Sequence, residues 1–197
     1  MDNAQFTNCL FDLFNFDFTN NIVFINCMIW RAQNMNSNDR IGTVTAFNSI
    51  IRLDGHNAET LNAYNCIIIR GYAWSGDDCY HLAGYSEAHN CIGINDNINT
   101  WAHGMFDVSY DCMEVENYSD VFETFTGFDD NNFDFTEPFI LKSDIATGFL
   151  GNDGTEVGIH GGFMPYTARP SYQIVRQYTV PNKSDAQGHM NVGIELY

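Results

Sequence analysis

Ala63-Tyr64-Asn65-Cys66-Ile67-Ile68-Ile69-Arg70 is the stretch on which the fold turns, because the chain repeats it. The same phrase stands as Phe6-Thr7-Asn8-Cys9-Leu10-Phe11, Phe24-Ile25-Asn26-Cys27-Met28-Ile29, Ala46-Phe47-Asn48-Ser49-Ile50-Ile51 and Ala88-His89-Asn90-Cys91-Ile92-Gly93. Each time an asparagine is followed by a small residue and a short apolar run. The asparagines stand 18, 22, 17 and 25 residues apart, so a constant unit is joined by loops of varying length. Periods of this size mark a solenoid.

An asparagine side chain carries two donors and an acceptor, and it tolerates tight turns. Stacked coils lie about 4.8 Å apart, close enough for each amide to bond the amide of the next coil. A buried amide without a partner costs more than the ~1 kcal/mol such a bond contributes, so the spacing predicts an asparagine ladder through Asn26, Asn48, Asn65 and Asn90. The next slot holds Cys9, Cys27, Ser49, Cys66 and Cys91, small enough to stack in a narrow interior. The apolar runs are too short for helices and are bounded by Asn, Asp and Gly, which reads as strands. Tyr110-Asp111-Cys112-Met113 reads as a sixth, degenerate coil with Asp in the Asn slot.

The 197 residues fit one domain with room for an appendage. Eight Lys and Arg against 25 Asp and Glu give a net charge of −17, which argues against nucleic acid or an anionic membrane as partner. No run reaches the ~20 apolar residues that a membrane span needs. Met1-Asp2-Asn3-Ala4 has neither the basic start nor the apolar core of a signal peptide. Phe6 to Phe11 already reads as a coil in mid-stack, so the expectation is that preceding sequence or another chain covers that end. Four of the six cysteines share the repeat slot, facing inward with parallel Cβ directions that suit a disulfide poorly, and free thiols are expected there. No Cys-x-x-Cys pair occurs to hold a metal.

Residues 119–141 are acidic and aromatic, and Phe122, Phe125, Phe128, Phe133, Phe135 and Phe139 read as closing the end of the apolar stack. Gly151 to Gly162 is a chain of tight turns that demands positive φ. Asp153 and Glu156 within it could ligate calcium, although turn geometry accounts for them. Ile174, Tyr178 and Val180, then Met190, Val192, Ile194 and Leu196, alternate as a β-hairpin. The expected organisation is a solenoid over 1–165 and a hairpin appendage, or the start of a further module, over 166–197.

The order Asp134-Phe135, Leu141-Lys142-Ser143, Gly148, Asp153-Gly154-Thr155, Val157-Gly158-Ile159-His160-Gly161-Gly162, Pro165 and Pro170 resembles the end of the secreted right-handed parallel β-helix proteins of Bacteroidetes, which are pectate-lyase-like in fold. The resemblance covers residues 120–197 by motif and 1–118 by repeat style. It implies an all-β, single-stranded right-handed parallel β-helix, exported or displayed at a cell surface and associated with polysaccharide. The fold hosts many activities and cannot by itself name one.

Three constellations bear on function. Arg31, Arg52 and Arg70 fall four or five residues after successive ladder asparagines, which predicts a column that binds an anionic glycan beside Trp30 and Trp74, or else a surface ladder of Arg–Asp pairs. Gly76-Asp77-Asp78-Cys79 with His103-Gly104 resembles pieces of polygalacturonase-type hydrolases. By that match Asp77 and Asp78 would be the acid and base of inverting hydrolysis, with His103 in support. The upstream Asn-Thr-Asp and downstream Arg-x-Lys of that pattern are missing, and Asp-Asp beside Gly is ordinary turn chemistry. A lyase, in which Arg or Lys abstracts a proton while calcium neutralises a uronate, fits poorly with the chain's charge. The reading is a non-catalytic module for polysaccharide recognition or display; the alternatives are a glycoside hydrolase or lyase fragment and a structural adhesin or assembly subunit.

Overall fold

The computed structural model of the chain describes residues 3–16, 20–33, 42–54, 58, 60–71, 81–95, 104–124 and 136–167, and the backbone of 175–179 and 193–196. Twelve strands come in pairs, two to a coil: β1 (Gln5–Thr7) and β2 (Leu10–Asn15), β3 (Ile22–Ile25) and β4 (Met28–Gln33), β5 (Val44–Phe47) and β6 (Ile50–Leu53), β7 (Leu61–Tyr64) and β8 (Ile67–Ile69), β9 (Glu87–His89) and β10 (Ile92–Ile94), β11 (Ser109–Tyr110) and β12 (Met113–Val115). The odd strands form one parallel six-stranded sheet and the even strands another. The protein is a parallel β-helix.

Backbone sterics explain why the repeated phrase makes a coil. Between the paired strands the chain turns through one residue in the left-handed region: Asn8, Asn26, Asn48, Asn65 and Asn90 have φ of 43–54°, and Asp111 has 51°. Asn and Asp enter this region far more readily than other residues with a Cβ. The corner is thus written locally, and Asp111 confirms the sixth coil.

The small residue after each corner carries the ladder that the sequence suggested for the asparagines. Cys27 Sγ, Ser49 Oγ, Cys66 Sγ and Cys91 Sγ each donate to the carbonyl two residues back, at 3.3, 2.8, 3.2 and 3.3 Å. Each also links coils: Cys27 N–H donates to Ser49 Oγ, Ser49 N–H to Cys66 Sγ, Cys66 N–H to Cys91 Sγ and Cys91 N–H to Cys112 Sγ, at 3.1–3.4 Å. Sγ and Oγ both donate and accept, so either atom fits the slot. Cys9, Cys27, Cys66, Cys91 and Cys112 are free thiols. Burial pushes the Cys27 thiol up to about 11 and that of Cys91 well above the usual range.

The two sheets differ in what covers them. The interior core takes alternate residues from both, including Phe24, Ile29, Ala46, Ile51, Ala63, Ile68 and Ala88. At the first coils it is filled by the rings of Phe6, Phe11, Phe14, Phe16 and Phe24, whose centroids lie 4.7–6.0 Å apart. A second cluster joins Met28, Trp30, Ile50, Ile67, Ile69, Ile92 and Ile94 on the outer face of the even sheet to Val121, Phe122, Phe139, Leu141, Val157 and Ile159. Strands covered on both faces read as unbroken apolar runs. That is why Ile67-Ile68-Ile69 does not alternate, whereas β7 does.

Two expectations are corrected by this cover. Phe122 and Phe139 lie against the side of the even sheet rather than closing the end of the stack; Phe125, Phe128, Phe133 and Phe135 lie outside the described residues. The asparagine amides do not form a ladder: those of Asn26, Asn48 and Asn65 are taken by the returning chain. Asn26 Nδ2 donates to the carbonyls of Ile159 and Gly161, at 3.0 and 2.7 Å, and Asn48 Nδ2 reaches Glu156 O at 3.5 Å. An amide-to-amide bond does occur at a different corner, from Asn21 Nδ2 to Asn3 Oδ1 at 3.1 Å.

The returning chain contains α1 (Tyr118–Val121), α2 (Ser143–Gly148) and the glycine-rich turns, where Gly154, Gly158 and Gly162 have φ of 73–79°. Gly151 is needed for close approach, since a Cβ there would stand 2.7 Å from Asn65 Cγ. Among the described residues no helix is long and apolar enough to cross a membrane. By contact density the chain divides into Met1–Tyr166 and Thr167–Tyr197. The second unit contains β13 (Val175–Thr179) and β14 (Gly193–Leu196), paired antiparallel.

Candidate ligand face

Among the described residues, the outer face of the odd sheet is a lateral surface whose side chains stay partly exposed, whereas the even sheet is covered. Its strands alternate buried and partly exposed residues. Register carries Thr45, Asn62 and Glu87 into one outward row and Phe47, Tyr64, His89 and Tyr110 into another.

The second row is a continuous stack of rings. Phe47 and Tyr64 lie 5.1 Å apart between centroids and 17° from parallel, Tyr64 and His89 4.8 Å and 13°, His89 and Tyr110 4.6 Å and 13°. The spacing is that of adjacent strands, so one ring per coil packs on the next without strand distortion. Each aromatic pair adds about 0.5–1.5 kcal/mol beyond the area it buries. Within the stack the rings offer solvent their edges and polar tips. Phe47 is 37% exposed and Tyr110 51%. His89 Nε2 lies 3.3 Å from Glu87 Oε2, a contact that fixes the imidazole on the face. The six odd strands contain no Lys or Arg.

The arginine column takes a different form from the one expected. Arg52 stands opposite Ile69, and Arg70 lies one residue beyond that strand, so the two do not share a row. Between β4 and β6 the register shifts, with Ile29 opposite Ile51 and Ala32 opposite Leu53, so Trp30 and Arg31 together face the single residue Arg52. Trp30, Arg52 and Arg70 are 1–4% exposed. The Arg52 guanidinium sits 4.6 Å from the centroid of the Trp30 ring. Arg31 points outward and is held by Asp12, Nη2 to Oδ2 at 2.8 Å. These side chains are packing and pairing elements of the even sheet, not an open anion-binding ridge. Trp74, Asp77, Asp78 and His103 lie outside the described residues.

The ring row was missed in the sequence although each member directly precedes a corner residue: Phe47-Asn48, Tyr64-Asn65, His89-Asn90, Tyr110-Asp111. The signal was present but masked, because the earlier coils put Thr7 and Ile25 in that slot. Among the described residues, no three His, Cys, Asp or Glu side chains gather to hold a metal. Asp153 Oδ1 is taken by Thr155, from its N–H at 2.9 Å and its Oγ1 at 2.7 Å. Compared with known proteins, the chain matches no family model, no curated sequence and no solved structure.

Proposed function

We propose that this β-helix is a non-catalytic, extracellular or surface-displayed module that recognises a neutral linear polysaccharide through the outer face of its odd sheet. One observation carries the reading: the chain covers one lateral sheet with its own return segment and leaves the other with a four-ring row beside a polar row of Thr45, Asn62 and Glu87. A face built on one residue per coil is periodic, and so is a linear glycan. Tyr hydroxyls and the Asn62 amide supply hydrogen bonds to sugar hydroxyls, and the rings supply apolar contact. The absence of Lys and Arg from these strands favours a neutral sugar over the acidic one that an arginine ridge would take.

The test is binding of the full chain to immobilised neutral glucans, mannans, xylans and galactans, alongside pectate as the acidic comparison. Binding to a neutral member that weakens in an Asn62→Ala variant of unchanged thermal stability, and in a Tyr64→Ala variant that remains folded, is expected. Failure to bind any neutral member, or preference for pectate, would overturn the reading.

A further inference from the structure

The ring row has an end. Among the described residues β11 is the last strand of the odd sheet, and Tyr110, its outward residue, packs one face on His89. The opposite face points past the sheet, and Tyr110 is half exposed although one side of its ring is covered. In each preceding coil that side of the ring meets another ring: Phe47 meets Tyr64, Tyr64 meets His89 and His89 meets Tyr110. The backbone shows the same interruption. Asn8, Asn26, Asn48, Asn65 and Asn90 each donate the corner N–H to the carbonyl that precedes the next corner, the last being Asn90 to Tyr110 O at 2.9 Å. Among the described residues the Asp111 N–H meets no such carbonyl.

We propose that a sugar ring of the bound glycan stacks on the free face of Tyr110 as the next member of the row, which makes Tyr110 the anchor of the ligand face and fixes where the glycan begins. This rests on the glycan-binding reading above and adds its subsite. The C–H face of a pyranose is apolar with partly positive hydrogens, and the aromatic face carries the negative lobe of the quadrupole, so the two attract. Tyr64 and His89 have a ring on each face, and Phe47, at the other end of the row, stands in register beside the side chain of Ile25, so these three have only edges to offer. Tyr110 is therefore the member of the stack able to make a face contact with ligand. The Asp111 N–H, at the position where every earlier coil donates, is a donor for a hydroxyl of the same sugar. Sheet rigidity places this ring before the ligand arrives, so little ordering cost falls on the protein.

The experiment uses the full chain and whichever neutral oligosaccharide of the panel it binds. Tyr110→Ala should weaken binding roughly tenfold, since one face contact of this kind is lost. Tyr110→Phe should bind within about twofold of the parent, because it keeps the ring and loses only the hydroxyl. Tyr85→Ala, which removes an 82% exposed tyrosine outside the row, should bind as the parent does. Ligand-induced shifts of the Tyr110 ring protons in NMR supply a readout that a merely structural role would not produce. If the parent binds and loses affinity in Asn62→Ala but Tyr110→Ala binds normally with unshifted ring protons, the anchor assignment is overturned while the ligand face stands. If Tyr110→Phe is as weak as Tyr110→Ala, the hydroxyl and not the ring face makes the contact, which overturns the stacking. If the parent binds no neutral member, both proposals fall together.

Discussion

Asn65 and Asn152 hold each other by two hydrogen bonds across 87 residues of chain: the Asn152 N–H donates to Asn65 Oδ1 at 2.9 Å, and Asn65 Nδ2 donates to Asn152 Oδ1 at 3.1 Å. The Gly158 N–H adds a third bond, to Asn65 O at 2.8 Å. One corner asparagine thus serves the coil by its backbone conformation and the returning chain by its amide.

Separating those duties gives the first prediction. Asn65→Leu loses the side-chain bonds and forces a branched residue to φ of 54°, and should cost about 2–4 kcal/mol in urea unfolding. Asn65→Gly loses the same bonds without the strain and should cost about 1–2 kcal/mol. Equal costs would show that the left-handed corner carries no penalty for other residues.

The thiol column makes a second. Cys66→Ser keeps a donor and an acceptor in the slot, as Ser49 does naturally, and should change stability by less than about 1 kcal/mol. Cys66→Val leaves the Ser49 N–H, now 3.4 Å from Cys66 Sγ, without its acceptor and should cost about 1–3 kcal/mol. For the same reason the buried thiols of Cys27 and Cys91 should resist alkylation at neutral pH and react once denaturant unfolds the chain, as mass spectrometry would register. Rapid labelling of either in the folded protein would contradict the column.

Arg52 tests whether the even sheet is a packed layer. Its guanidinium lies over the Trp30 ring, and Trp30, Met28 and Ile50 are 0–1% exposed. Arg52→Ser should destabilise the protein by about 2 kcal/mol or more, since a desolvated cation–π contact and its packing are lost together. An unchanged melting temperature would instead place Arg52 at an open surface.

Glu156 supplies a pH dependence. Burial raises its carboxyl above the usual range, and His160 offsets this in part. The folded protein therefore holds this proton more tightly than the unfolded chain. The contribution to stability is fully present below the unfolded value and is lost as pH rises through the folded one. Glu156→Gln should accordingly raise the melting temperature at pH 7 relative to the parent, and the gap should shrink on titration toward pH 4. A gap that widens on acidification would reverse the assignment.

Position along the coils was legible in the sequence because it is decided by contacts within a few residues. A left-handed corner needs Asn or Asp, the residue behind it must be small and able to donate, and both repeat at Asn8-Cys9, Asn26-Cys27, Asn48-Ser49, Asn65-Cys66 and Asn90-Cys91. Even Asp111-Cys112 could be placed by this rule. The ring row was written in the same phrase, one position earlier.

Which polar groups pair, and which sheet the return segment covers, was settled by the tertiary structure alone. The amides of Asn26, Asn48 and Asn65 could have bonded one another; they bond residues 152–161 because the return segment docks there and excludes water. The arginines recur at similar sequence offsets, yet the register shift between β4 and β6 and the short strand β8 put them in different rows. Sequence repetition determined the coil, since steric rules act locally; the identity of the covered sheet depended on a segment that follows all the coils in the chain, and no local rule carries that information.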